Sequence, residues 1–185
     1  MPSAARPSVE ELASQLLAEQ GIKAIPVAVD KIAKALGAQL RYSPLDEELA
    51  GMVFIKDGVP IIGVNSLHHP NRQRFTIAHE IAHLRMHRDE ITRAVHVDKG
   101  FGEPMLKRDA VSATGTERLE IDANQFAAAL LMPRSILEEI LAGQSVDVED
   151  ERSLEDLAKS FRVSRSTLQY RIRNLSSDSP ARQRA

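Results

Sequence analysis

The chain has 185 residues, 43% apolar and 27% charged, with a net charge of −2 and no cysteine. Those proportions fit one well-packed domain with a small appendage, and they exclude a disordered chain, a disulfide scaffold and any site built on thiolates. The charge is uneven: residues 151–185 carry eight Lys/Arg against four Asp/Glu, and the first 150 residues sixteen against twenty-two.

No apolar run approaches the roughly 18 residues that span a bilayer, and the first residues, Met1 to Ser8, lack an apolar leader segment, so a cytoplasmic location with no membrane partner is expected. Ser8 with Glu11 forms a capping-box pattern, and Val9, Leu12, Leu16 and Leu17 continue at helical spacing up to Gly21. After Pro26, Val29, Ile32, Ala33 and Leu36 share one face of a second short helix that Gly37 stops. The period then changes. Gln39–Tyr42, Gly51–Ile55 and Pro60–Asn65, the last two joined by Asp57-Gly58, predict about three antiparallel strands ending in a hairpin.

From Arg72 to His87 a helical pattern runs without Gly or Pro, starting near Pro70 or Asn71, and its apolar residues cover so much of the circumference that the helix must be buried. It contains His79-Glu80-Ile81-Ala82-His83. Histidines four apart on a helix project from one face and supply half of a metal site, and the carboxylate between them can reach a metal-activated water without being a ligand. The alternative is a core helix whose histidines bond to carbonyls. Two imidazoles and a carboxylate buried together would then cost several kcal/mol, by order of magnitude, unless satisfied, which favours the metal reading.

The mixed segment Asp89–Thr116, with Gly100, Gly102, Pro104 and Gly115, is read as a loop that covers a cleft. Glu117–Met132 is an Ala/Leu-rich helix that ends before Pro133, and Pro133 opens another helix reaching Gly143. The acidic link Val146–Glu151 marks a boundary, so residues 1–145 are expected as the main domain and 146–176 as two short helices packed on it, each started by Ser, with a disordered tail at 177–185. The two helices, around Leu154–Phe161 and Ser164–Leu175, are helix-turn-helix-like, and Arg165, Gln169, Arg171 and Arg173 stand on the second. Two helices cannot bury a core alone, so structural or protein-contact use is favoured over DNA binding.

Arg72–His83, Ala123–Pro133 and Leu157–Leu175 together resemble the ImmA/IrrE family of metallopeptidases, a resemblance extending from about Pro26 to Leu175. Family members often carry Gly where this chain has Ala82. The resemblance implies an α+β, mainly helical, zincin-like fold. It also implies metal-dependent endopeptidase activity against a DNA-binding repressor or antitoxin-like partner. A Glu three residues before the Ala of the Ala-Asn pair is implied as third ligand, which is Glu120 here; Asn124, one turn on, is placed to orient a neighbouring ligand. Asp122 and Glu117 are the competing ligands.

His87 continues the four-residue repeat, but eight residues of helix span about 12 Å, too far to share an ion with His79, so helix C-capping is its expected role. His68, His69 and His96 are weaker candidates for stabilising an oxyanion, and Tyr42 has no assigned place. The expected reaction is peptide hydrolysis, with Zn²⁺ (or Mn²⁺) held by His79, His83 and Glu120, and Glu80 as general base. The alternative function is a weakly proteolytic or non-proteolytic module that binds a repressor or DNA through the C-terminal helices.

Overall fold

A computed structural model describes residues 7–93, 96–98, 115–143 and 150–177. The architecture is α+β and mainly helical. Helix α1 (Val9–Glu19) starts at Ser8, whose hydroxyl accepts the Glu11 N–H at 3.2 Å while the Glu11 carboxylate accepts the Ser8 N–H at 2.7 Å. The Ser8 N–H and, secondarily, the Ser8 hydroxyl donating to the Glu11 carboxylate hold it below its ordinary pKa. Helix α2 (Val29–Ala35) follows.

Among the described residues four strands form the sheet: β1 (Gln39–Ser43), β2 (Gly51–Lys56), β3 (Val59–Asn65) and β4 (His96–Asp98), in the order β1-β3-β2-β4. β2 and β3 make the expected antiparallel hairpin, turning at Asp57 and Gly58, both with positive φ (52° and 80°), as a two-residue primed turn requires. The sheet is not wholly antiparallel, however, because β1 pairs in parallel with β3. The loop after β1 carries the chain past the position of β3 before β2 begins, so β3 returns between them in the direction of β1. Asn65, fully buried, holds that loop. Its amide group donates to the carbonyls of Leu49 (2.8 Å), Asp46 (3.1 Å) and Leu45 (3.3 Å), and its oxygen accepts from the Leu67 N–H at 3.0 Å.

Helix α3 (Pro70–Met86) has Pro70 in its first turn, and the side chain of His69 accepts the Asn71 N–H at 3.2 Å. Every residue from Thr76 to Leu84 is buried. The segment Asp89–Thr116 is not simply a loop: it includes most of helix α4 (Arg88–Arg93) and all of β4, which pairs antiparallel with Gly51–Val53. The rest of the expected cleft cover, residues 99–114, lies outside the described residues.

Helix α5 (Gly115–Leu131) packs on α3 and α1, and α6 (Arg134–Gly143) follows Pro133. Helix α7 (Glu151–Phe161) is capped by Asp150, whose carboxylate accepts the Ser153 N–H at 2.9 Å; the helix therefore begins before Ser153, the expected start. Ser164 does start α8 (Arg165–Ser177), accepting the Thr167 N–H at 3.1 Å. Most of the acidic link (146–149) and nearly all of the expected tail (178–185) lie outside the described residues.

Leu154, Leu157, Phe161, Leu168 and Leu175 belong to the same buried cluster as α1, α3 and α5. Arg171 joins them. Its side chain is 5% exposed and makes a double contact with Glu10 of α1 at 2.6 and 2.7 Å, and its Nε donates to the Met132 carbonyl at 3.1 Å. It is therefore a strut between α8, α1 and the end of α5, and cannot serve as an outward contact to nucleic acid. Arg165 and Gln169 do face solvent, Arg165 pairing with Glu151 at 3.2 Å.

Candidate metal centre

Helices α3 and α5 converge on three donor side chains. His79 and His83, one turn apart and fully buried, bring their Nε2 atoms to 3.0 Å. From α5, Glu120 faces both, with Oε2 3.3 Å from His79 Nε2 and Oε1 3.4 Å from His83 Nε2. The three offered atoms lie within 4.8 Å of one another.

The outer nitrogens explain why the lone pairs point inward. His79 Nδ1 lies 2.8 Å from Asn124 Oδ1. An amide oxygen only accepts, so Nδ1 carries the hydrogen and the Nε2 of a neutral His79 presents a lone pair. His83 Nδ1 lies 3.1 Å from His87 Nδ1, and one of those two nitrogens must donate. Lone pairs of two imidazoles and a carboxylate aimed at one point repel unless a cation lies between them. Ligand atoms about 2.0–2.1 Å from a tetrahedral ion are separated by about 3.3–3.4 Å. The two histidine nitrogens stand 3.0 Å apart and each faces a different Glu120 oxygen, at 3.3 and 3.4 Å, so the carboxylate can offer an oxygen to an ion between them.

Glu80, next to His79 on α3, is fully buried, and β2 runs close to it. The strand approaches α3 so closely at Gly51 that a Cβ there would lie 2.3 Å from Thr76 Cγ2, 2.8 Å from the Gly63 carbonyl oxygen and 3.4 Å from Glu80 Oε1. Two of those neighbours are backbone or a short β-branched side chain with little room to give. Gly51→Ala is expected to lower stability by about 1–3 kcal/mol, the range for overpacking, as read from a denaturant midpoint. A variant as stable as the parent would show that strand and helix can separate.

Other candidates fall elsewhere. Asp122 and Glu117 are not in the donor group, which among the described residues contains only His79, His83 and Glu120. His68 is tied to the loop before β2, its Nε2 lying 3.1 Å from the Glu47 carbonyl, and His69 caps α3. His96 pairs through its backbone with Val53, and its side chain is outside the described set. Tyr42 stands half-exposed on β1, where burial and, secondarily, the charge of Asp30 raise its pKa. His87 is the C-cap residue of α3, with its N–H on the His83 carbonyl at 2.9 Å, but its side chain also turns inward onto His83. The spacing argument weighed His87 only against His79 and so missed this, although His83 and His87 are four residues apart, the separation at which helical side chains meet.

The α+β fold, with a buried histidine-bearing helix and a carboxylate from a second helix, is the architecture of the zincin-like class. The family model for the IrrE N-terminal-like domain, peptidase family M78, matches residues 33–173, and the chain belongs to that family. Among its relatives, the radiation response metalloprotease IrrE of Deinococcus radiodurans is 35% identical over 116 residues, 60% of this chain and 30% of that protein. The protein of the same name from Deinococcus deserti is 32% identical over 113 residues, 60% of this chain and 35% of the relative. This chain thus aligns with about a third of the length of these relatives. A solved Mycobacterium tuberculosis transcriptional regulator shares the fold at a TM-score of 0.61 and 20% identity, over 96% of this chain and 48% of that one.

Proposed function

We propose that this protein is a cytoplasmic metal-dependent endopeptidase that regulates gene expression by cleaving a DNA-binding repressor or antitoxin-like protein. The observation that carries the catalytic part is the convergence of His79 Nε2, His83 Nε2 and a Glu120 oxygen on one point, with Glu80 one residue along the same helix. Family membership supports the same reading. The regulatory part draws on the relatives named for a radiation response and on the transcriptional regulator that shares the fold. Among the described residues no helix is long and apolar enough to cross a membrane.

In this reading His79, His83 and Glu120 hold a divalent ion, zinc being favoured by two imidazoles and one carboxylate and manganese also suiting a thiolate-free set. When bound, such an ion supplies Lewis acidity, polarising the scissile carbonyl and making water a better nucleophile near neutral pH. Asn124 fixes the ring of His79 through Nδ1. Glu80 takes a proton from the attacking water and passes it to the leaving amine.

The test is direct. Purified protein is assayed for zinc and manganese; the neighbouring reading frames are searched for a helix-turn-helix regulator, and any regulator found there is mixed with it. About one ion per chain is expected, with cleavage that stops on chelation and returns when either metal is added back. Metal-free protein that binds neither ion would overturn the site, and metal-loaded protein that leaves the regulator intact would overturn that substrate. Salt-sensitive DNA binding by the intact protein, without cleavage, would favour the binding-module reading.

A further inference from the structure

We infer that His87 is the positioning residue of His83: its Nδ1 accepts the His83 Nδ1–H and so fixes the ring that would bind metal through Nε2, as Asn124 does for His79. This rests on the metal-site reading above. With Nε2 of His83 directed at His79 and Glu120, the hydrogen of a neutral His83 must sit on Nδ1, and the group facing that hydrogen at 3.1 Å is His87 Nδ1. His87 Nδ1 is then an acceptor, which places the His87 hydrogen on Nε2. The residue is 6% exposed, so little water is at hand to replace it.

The pairing gives the centre a second property. Metal-ligating histidines commonly donate their outer N–H to carboxylates, carbonyls or water. Here one outer N–H faces a neutral amide and the other a neutral imidazole, so the positioning groups add no negative charge beyond that of Glu120 and Glu80. The position also explains how the contact is reached. Side chains four apart on a helix are neighbours and lean toward the helix N-terminus, so the ring of His87, one turn beyond His83, reaches back onto it.

Two substitutions separate this role from packing. The Oδ1 of an asparagine stands two bonds from Cβ, as Nδ1 of histidine does, so His87→Asn keeps an acceptor for His83 and repeats what Asn124 offers His79. His87→Phe keeps the ring volume and removes the acceptor. Zinc affinity of the full chain is measured by competition with a chromophoric chelator, alongside thermal melting of the metal-free protein. His87→Phe is expected to weaken zinc binding about 10–100-fold, the usual effect of losing such a partner, with His87→Asn within about threefold of the parent. Equal affinity in parent and His87→Phe, or equal losses in both variants, overturns the assignment. If His87→Phe melts too low to titrate, the imidazole ¹⁵N shifts of zinc-loaded parent protein decide: a hydrogen on His87 Nε2 supports the role, and one on Nδ1 overturns it. A parent protein that binds no zinc instead removes the metal-site reading itself.

Discussion

Glu80→Gln is expected to leave metal binding intact and to abolish proteolysis, with kcat falling by at least about 10³-fold, equivalent to about 4 kcal/mol of transition-state stabilisation. The substitution keeps the volume of a fully buried side chain and removes only its ability to take a proton. His79, His83 and Glu120, which alone form the donor group among the described residues, are untouched. The measurement is single-turnover cleavage with metal content determined on the same preparation. Proteolysis within about tenfold of the parent would remove Glu80 as base, and loss of metal together with activity would recast it as a ligand or its support.

The second large effect is expected far from the chemistry. Arg171→Met should lower unfolding free energy by about 2–4 kcal/mol, because it leaves Glu10 facing a buried apolar neighbour and frees the Met132 carbonyl. Glu10 keeps some contact with solvent, which holds the figure below that for a wholly sequestered pair. The double variant Arg171→Met, Glu10→Gln should recover part of the loss, since the orphaned charge is removed with its partner. A domain of this size has a stability of about 5–15 kcal/mol, so the single change consumes a large share of it. Urea denaturation of the four proteins of the cycle reads the coupling directly. If Arg171→Met proves neutral, the strut between α8 and α1 holds nothing.

Much of the structure was legible wherever the signal was local. The Ser8 capping box, the Asp57-Gly58 turn, the buried α3 and the stop before Pro133 each follow from residues within a few positions of one another. Glu120 was chosen through family resemblance together with its four-residue spacing from Asn124, because spacing alone did not exclude Asp122 and Glu117. What escaped were pairings set by the tertiary fold. Alternation within Gln39–Tyr42 cannot tell whether its partner runs parallel or antiparallel, and nothing near Asn65 announces that its side chain holds the chain more than fifteen residues away. β4 is three residues long, too short to give a period. Arg171 is a different failure. It lies three residues after Leu168 and four before Leu175, on the same inward stripe, so its helical position pointed inward while its charge suggested the surface.

The burial of α3 from Thr76 to Leu84 sets how metal supply and folding are related. In a small zinc domain the ligands find one another only as the ion arrives, and removing the ion unfolds the chain. Here the histidines stand in a core that extends from α1 to α8, so the metal-free chain is expected to stay folded. On the metal-site reading, loss of metal costs only the linkage term, about 4 kcal/mol at a thousandfold excess over Kd, and leaves a folded domain without the ion its proposed activity needs. Such a domain can gain and lose activity with the free metal concentration around it, without passing through an unfolded state that would expose it to degradation.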